Sequence, residues 1–231
     1  RPETRERILT AARELGYRPN AAARSLRTAR TGTLGLFLPD FTNPVYAQVI
    51  TGAEAGASAH GAVLLTASSN VVGRDTRTYV ELLGNGRVDG LLLAGDALTA
   101  GRQATLDSLG LPYLWVNRRM AGSHRSVVLD DGRAARIAVE HLAGLGHSRI
   151  AHLAGPPRAD TARRRRSGYS AALKAVGLPR EDSLIASADY TPHGGAAALI
   201  TLMHSPDPPT AVVVANVASA IGALSSARRN G

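Results

Sequence analysis

The sequence predicts an α/β fold, with two doubly wound parallel-sheet units in succession behind a short helical N-terminal segment. Three observations predict it. Short, nearly continuous apolar runs recur with helical patterns between them, the form strands take when both faces of a parallel sheet are covered. The strand and helix series runs to about residue 146 and then starts again. Ahead of both, residues 1–30 carry eight Arg against Glu3, Glu6 and Glu14, which is +5 of a formal net charge of +9. A basic head thus precedes a nearly balanced body, the pattern of an arm that meets nucleic acid.

Composition bounds the function. A chain of 231 residues with 44% hydrophobic and 4% aromatic content can bury a substantial core. The absence of cysteine excludes a disulfide framework, a thiolate zinc site and a Cys nucleophile. No apolar run approaches the roughly 18 residues that cross a bilayer, and the first residues form a charged amphipathic segment unlike a signal peptide. A cytoplasmic location is the default expectation.

In chain order, Pro2 at a helix start, Ile8, Leu9, Ala12 and Leu15 at helical spacing, and Gly16 as a stop predict an amphipathic helix over 3–15. One such helix cannot bury its apolar face alone, so partner helices are expected upstream. Pro19 cannot lie inside a helix and Asn20 is a good N-cap, so a second helix of ~10 Å is predicted over 21–27. Ala22, Ala23 and Leu26 share one face of it, while Arg24 and Arg27 point elsewhere. Isolated helices under about 12 residues are marginal in water. On its residues alone, the segment is either a solvated basic linker or a helix that folds against a polyanion. Residues 28–32 close it as a polar linker.

The first α/β series has strands at 33–38, 62–67, 88–94, 113–116 and 127–129, with helices at 44–60, 74–83, 102–109 and 133–145. The second has strands at 150–154, 184–186 and 211–215, with helices at 161–176, 194–203 and from 218 onward. The predicted domains are 1–18 (last helix of a helical head), 19–32 (helix and linker), 33–146 and 147–231. Ligands of such sheets sit outside the carboxyl ends of the strands. The residues there include 39–43, Ser68, Asn70, Gly95, Asp96, Asn117, Arg118, Asp130, Asp131, 155–158, Asp189, Tyr190 and Asn216. This polar rim suits a small polyhydroxylated or otherwise polar ligand.

These residues resemble the LacI/GalR family of bacterial transcription repressors, in which a helix-turn-helix head is joined to a periplasmic-binding-protein-like core. The matching motifs are Thr4-Arg5-Glu6-Arg7-Ile8, Leu15-Gly16-Tyr17-Arg18-Pro19-Asn20, Ala23-Arg24-Ser25-Leu26, Pro39-Asp40-Phe41-Thr42-Asn43-Pro44, Arg87-Val88-Asp89-Gly90, Glu140-His141-Leu142, Leu145-Gly146-His147, Ala154-Gly155-Pro156, Pro209-Thr210-Ala211 and Ala215-Asn216. They follow the family's order over essentially the whole chain. The resemblance implies that the chain starts at the third helix of the head and that the core continues after Gly231.

The resemblance further implies a DNA-binding regulator, most simply a repressor. Residues 20–27 match its hinge helix, which pairs with a second subunit's copy in the minor groove, so a homodimer on operator DNA is expected. Leu26 matches the leucine that wedges between base pairs. Tyr17, Asn20, Ala23, Arg24, Leu26 and Arg27 are the implied DNA-contacting residues. In the run Arg163-Arg164-Arg165-Arg166 successive side chains turn by about 100°. The family's effector-binding Arg precedes a Gly by three residues, which with Gly168 selects Arg165 and leaves Arg164 and Arg166 as a solvated face. Asn117 matches a position set against ligand hydroxyls, Tyr190 a stacking aromatic and Asn216 a polar contact of the second lobe. Phe41 and Tyr46 are read as a first-lobe wall or as core packing, and Asp130 as ligand contact or structural bridge. The family's usual Asp after Asn216 is replaced by Val217, which removes an acceptor for ligand hydroxyls. The implied effector is a sugar or related metabolite held between the lobes.

Two other classes compete with this reading. A periplasmic-type small-solute receptor has the same core, but the basic head and lack of a signal segment oppose it. An enzyme is opposed by the lack of a Gly-rich phosphate loop with Lys, a Gly-x-Ser-x-Gly elbow and a His-Glu-x-x-His motif. His141, His147 and His152 are read as packing or surface residues and not as a metal site. No cofactor is implied.

Overall fold

The computed structural model describes residues 2–17, 21–68, 86–94, 106–108, 110–120 and 125–230. The helix expected at 74–83 lies outside them, as do Asn20, Asn70, Gly95 and Asp96; of the helix expected at 102–109, residues 106–108 are described and are helical.

The head contains α1 (Pro2–Glu14) and α2 (Ala21–Thr28). No residue of α1 is buried, so Ile8, Leu9 and Leu15 present an uncovered apolar face, as expected for one helix without partners.

The first core unit holds β1 (Thr33–Leu38), α3 (Pro44–Ala59), β2 (Val63–Ser68), β3 (Gly90–Ala94), β4 (Tyr113–Val116) and β5 (Ser126–Val127). These strands form one parallel sheet in the order β2-β1-β3-β4-β5. Central β1 is covered on both faces, which is why its sequence is an unbroken apolar run. Phe37 joins Leu91, Leu93, Tyr113 and Trp115 on one side, while Leu36 and Leu38 join Tyr46 and Ala94 on the other. The Asn43 side chain accepts from Val45 N and caps α3, with Pro44 in its first turn.

The second unit holds α4 (Asp131–Gly144), β6 (Ile150–Ala154), α5 (Asp160–Ala175), β7 (Ile185–Ser187), α6 (Pro192–Met203), β8 (Ala211–Val214) and α7 (Val217–Asn230). Its parallel sheet has the order β7-β6-β8. Helices α4 and α5 cover one face, where Ala135 and Val139 meet Ile150, Tyr169 and Leu173. The opposite face carries α6 and α7, where Leu199, Leu202 and Ala223 meet Ala151 and Leu153.

One boundary differs from expectation. A division after residue 146 would separate α4 from the sheet on which it packs, so the packing places the crossover before Asp131. Local periodicity identifies α4 as a helix but carries no information about which of two flanking sheets receives it.

Glycines set how closely the helices approach. A Cβ on Gly168 of α5 would fall 2.3 Å from the carbonyl oxygen of Gly132 in α4, and one on Gly222 of α7 would fall 1.7 Å from that of Pro192 in α6. In both sheets the first strand lies inside and the chain order reverses beside it, which puts crevices at the carboxyl ends of β1/β3 and β6/β8.

Candidate functional site

At the carboxyl edge of the second sheet, β6 runs into Gly155, over which the Tyr190 ring lies; a Cβ on Gly155 would fall 2.1 Å from Tyr190 Cζ. Tyr190 has φ +68°, a left-handed conformation that a residue with a Cβ adopts at a cost. Its hydroxyl is 3.2 Å from Thr161 Oγ1 at the start of α5. Asp189 prepares the turn: its Oδ1 accepts from Thr191 Oγ1 at 2.6 Å and Thr191 N at 3.0 Å, and these bonds hold its carboxyl below the ordinary aspartate value.

Asn216 follows β8. It donates from Nδ2 to Tyr190 O at 3.1 Å and accepts Ser219 N at 3.1 Å, so it pins the Tyr190 turn and satisfies an amide of the first turn of α7. Arg165 donates from Nη1 to Ala215 O at 2.5 Å and from Nε to Asp131 Oδ1 at 2.7 Å. The structure therefore brings Arg165, Tyr190 and Asn216 together at the end of the second sheet.

Arg164 corrects the expectation of a solvated face. It is 17% exposed, pairs with Asp131 Oδ2, and donates to Asp160 Oδ2 at 3.0 Å and Leu129 O at 2.8 Å. The packed α4 and the crossover segment supply acceptors on the side where a lone helix would meet water. Arg166 remains exposed, 3.7 Å from Asp182.

In the first unit Asn117 also has positive φ, +61°, as its backbone turns from β4 while donating to Val127 O at 2.8 Å. Its Oδ1 is buried with no hydrogen-bond partner among the described residues. Such an acceptor is costly to leave unmet. Arg118 is buried with its guanidinium 5.7 Å from the Trp115 ring centroid, and Arg119 N donates to Asp160 Oδ2 at 2.8 Å, tying the two units. Tyr46 is in the core with Leu36 and Leu38, while Phe41 stays on the surface. Asp130 is an N-cap, its Oδ1 accepting from Arg133 N at 2.9 Å. Among the described residues, no hydrogen bond or ion pair joins Phe41 or Asn117 to the Arg165 cluster.

Asp131 and Asp160 are the acids that hold this arginine cluster and that the motifs did not single out as site members. The available signal was an acid in the first turn of each of two consecutive helices, beside a run of four Arg. His152 is fully buried, stacked on Tyr169 with centroids 4.9 Å apart, and His147 Nδ1 is 3.0 Å from Thr210 Oγ1.

In the head, Tyr17, Leu26 and Arg27 are exposed, Leu26 at 90%. Ala23 and Arg24 lie on α2, and their side chains are outside the description. The linker after α2 is fastened to the first unit by Asp89, which accepts from Thr31 N at 2.7 Å, Thr31 Oγ1 at 2.9 Å and Gly32 N at 2.8 Å.

Residues 31–231 match the model described as the periplasmic binding proteins and sugar binding domain of the LacI family. The chain belongs to the LacI family. It is 32% identical over 230 residues to the HTH-type transcriptional repressor CytR of Escherichia coli K12, covering 99% of this chain and 67% of that protein. A LacI-family transcriptional regulator from Mycobacterium smegmatis superposes with a TM-score of 0.79 at 40% identity, covering 86% of this chain and 73% of that one. The transcriptional regulator CelR–cellobiose complex also gives a TM-score of 0.79, at 30% identity over 100% of this chain and 70% of that one. This LacI-family chain belongs to a DNA-binding transcriptional regulator whose operator binding answers to a small effector; it is not an enzyme. No helix among the described residues is long and apolar enough to cross a membrane.

Proposed function

We propose that this regulator, a cytoplasmic repressor, holds a sugar or related polar metabolite between its two core units and uses it to set the state of α2 on operator DNA. The observation that carries the reading is Asn117, a residue in the left-handed region whose buried Oδ1 has no partner among the described residues and which stands at a strand end, where ligands of such sheets sit. From the opposing unit Arg165 supplies forked donors, Tyr190 an aromatic face and Asn216 a polar group. Phe41 contributes an apolar edge. Tyr46 and Asp130 act from behind, as core packing and helix cap.

On the DNA side, Tyr17, Asn20, Ala23, Arg24, Leu26 and Arg27 contribute the DNA contacts, with exposed Leu26 as the minor-groove wedge. Unstacking costs a few kcal/mol and is offset by contacts to bent DNA. Because an eight-residue helix is marginal alone, effector binding in the core and folding of α2 on DNA are linked reciprocally. A homodimer supplies the second α2. Val217, Ile221 and Leu224 form an exposed apolar stripe along α7 that supports pairing with a second copy.

A thermal-shift screen of the full-length protein against sugars, nucleosides and small acids tests the effector reading. A true effector raises the melting point of the parent and not of Asn117→Ala, and it changes operator affinity. A ligand that stabilises both proteins equally overturns the placement at Asn117.

A further inference from the structure

We propose that the groove between α4 and α5 is a second ligand site, separate from the one above, that takes a small phosphorylated molecule. Arg133 and Arg136 stand three residues apart on α4 and so form one wall; Arg164 and Ser167 stand three apart on α5 and form the other, and Arg119 closes the end from the first unit. The cavity they line holds about 480 Å³, enough for a phosphate ester. Its floor exists because Gly132 and Gly168 let the two helix backbones touch, leaving the longer side chains to stand around a hollow.

The charge is unbalanced. Arg164 is held by Asp131 and Asp160, but the side chains of Arg119, Arg133 and Arg136 have no hydrogen bond or ion pair among the described residues. Asp130, the exposed acid of this wall, already spends one oxygen on the Arg133 amide. Three guanidinium groups unengaged among the described residues, around one concavity, form a donor set matched to a phosphoryl group, which accepts paired N–H donors on several oxygens at once. The site is distinct from the Arg165 cluster because Arg164 and Arg165 are turned by about 100° on the same helix, one toward the groove and the other toward Ala215. Both touch Asp131, on different oxygens.

The probes are inorganic phosphate and glycerol 3-phosphate, titrated calorimetrically into the full-length protein at constant ionic strength, with glycerol and chloride as controls. Saturable binding of both phosphates, but not of glycerol or chloride, is expected. The double variant Arg133→Gln, Arg136→Gln weakens it by about tenfold or more, since each lost charge-assisted contact is worth about a factor of ten. Both side chains are exposed and unpaired among the described residues, so the variant keeps the parent's circular dichroism and its melting point without phosphate. Arg165→Gln leaves phosphate affinity within about twofold. No saturable binding by about 10 mM, or binding indifferent to the double variant, or binding lost in Arg165→Gln instead, overturns the proposal.

Discussion

Arg165 and Arg164 divide one carboxylate between them: Asp131 accepts Arg165 Nε on Oδ1 at 2.7 Å and pairs through Oδ2 with Arg164. With Asp131 only 2% exposed, removing it leaves Arg165 without its carboxylate partner and Arg164 with Asp160 alone. Asp131→Ala is expected to lower unfolding stability by about 3 kcal/mol in urea titrations, and Asp131→Asn by less because the amide still accepts one of the two bonds. In the surviving folded protein Arg165 loses its aim, so any effector bound in the parent binds more weakly. An Asp131→Ala protein with parental stability would mean that the shared carboxylate contributes nothing net.

Gly155 and Tyr190 give a sharper test of the candidate site. Gly155→Ala puts a methyl 2.1 Å from Tyr190 Cζ, and the ring must swing away, taking its hydroxyl from Thr161. The expected result is a loss of about 1–3 kcal/mol of stability together with weaker effector binding. Tyr190→Gly relieves the positive φ but removes the aromatic face, so stability is largely kept while effector affinity falls. If Tyr190→Gly binds the effector as the parent does, the ring is packing and not a ligand surface.

Much of this was legible in the residues, and the misses share a cause. Strands 33–38, 113–116 and 150–154 were placed to the residue because unbroken apolar runs bounded by Gly, Pro and polar turns have no other stable use in a doubly wound sheet. Arg165, Tyr190 and Asn216, which the structure brings together, are each legible from a strand end or from the motif that matches the family. Arg164 departs from the solvated face expected of it because helical angle alone cannot show which neighbour packs on a helix; the presence of α4, with Asp131, turns an outward Arg into a half-buried one. The crossover before α4 escapes local periodicity for the same reason. Likewise, Asp89 was visible as part of Arg87-Val88-Asp89-Gly90, but its partners Thr31 and Gly32 lie 58 and 57 residues away.

His152 predicts a pH dependence of stability. Burial in the middle of the second sheet disfavours the charged imidazolium and lowers its pKa below 6.5; the Val213 carbonyl opposes this, and the charges of Arg166 and Arg165 reinforce it. The Nδ1–H donates to Val213 O at 2.9 Å, which leaves Nε2 as the unprotonated nitrogen. The unfolded chain therefore takes up a proton that the folded chain refuses. This contribution to stability is complete above about pH 6.5 and is lost as pH falls toward the lowered value. The urea midpoint should drop between about pH 7 and pH 5, and in His152→Gln that part of the slope should vanish. An unchanged slope in the variant would assign it to other groups.

Asp89 makes the mechanical link between the core and α2 testable without the effector. Slight desolvation alone would raise its pKa, but donation from Thr31 N, Thr31 Oγ1 and Gly32 N, with the charge of Arg30, outweighs it and lowers the value below 3.8. The folded state thus favours the carboxylate. Its contribution is present above the unfolded-state pKa of about 4 and is lost as pH falls through the lower folded value. Near neutral pH the clamp is intact, and the Thr31 and Gly32 amides should exchange slowly with deuterium. Asp89→Ala removes the acceptors from three donors, so those amides should lose protection while the strands of both sheets keep theirs. In the full-length protein, a linker free to wander no longer presents α2 in one register, and operator affinity should fall by about tenfold. Leu26→Ser weakens operator binding through the DNA contact instead and leaves Thr31 and Gly32 protected, so the two variants separate loss of the wedge from loss of its mounting. If Asp89→Ala deprotects the linker yet binds operator as tightly as the parent, α2 takes its position from the DNA alone.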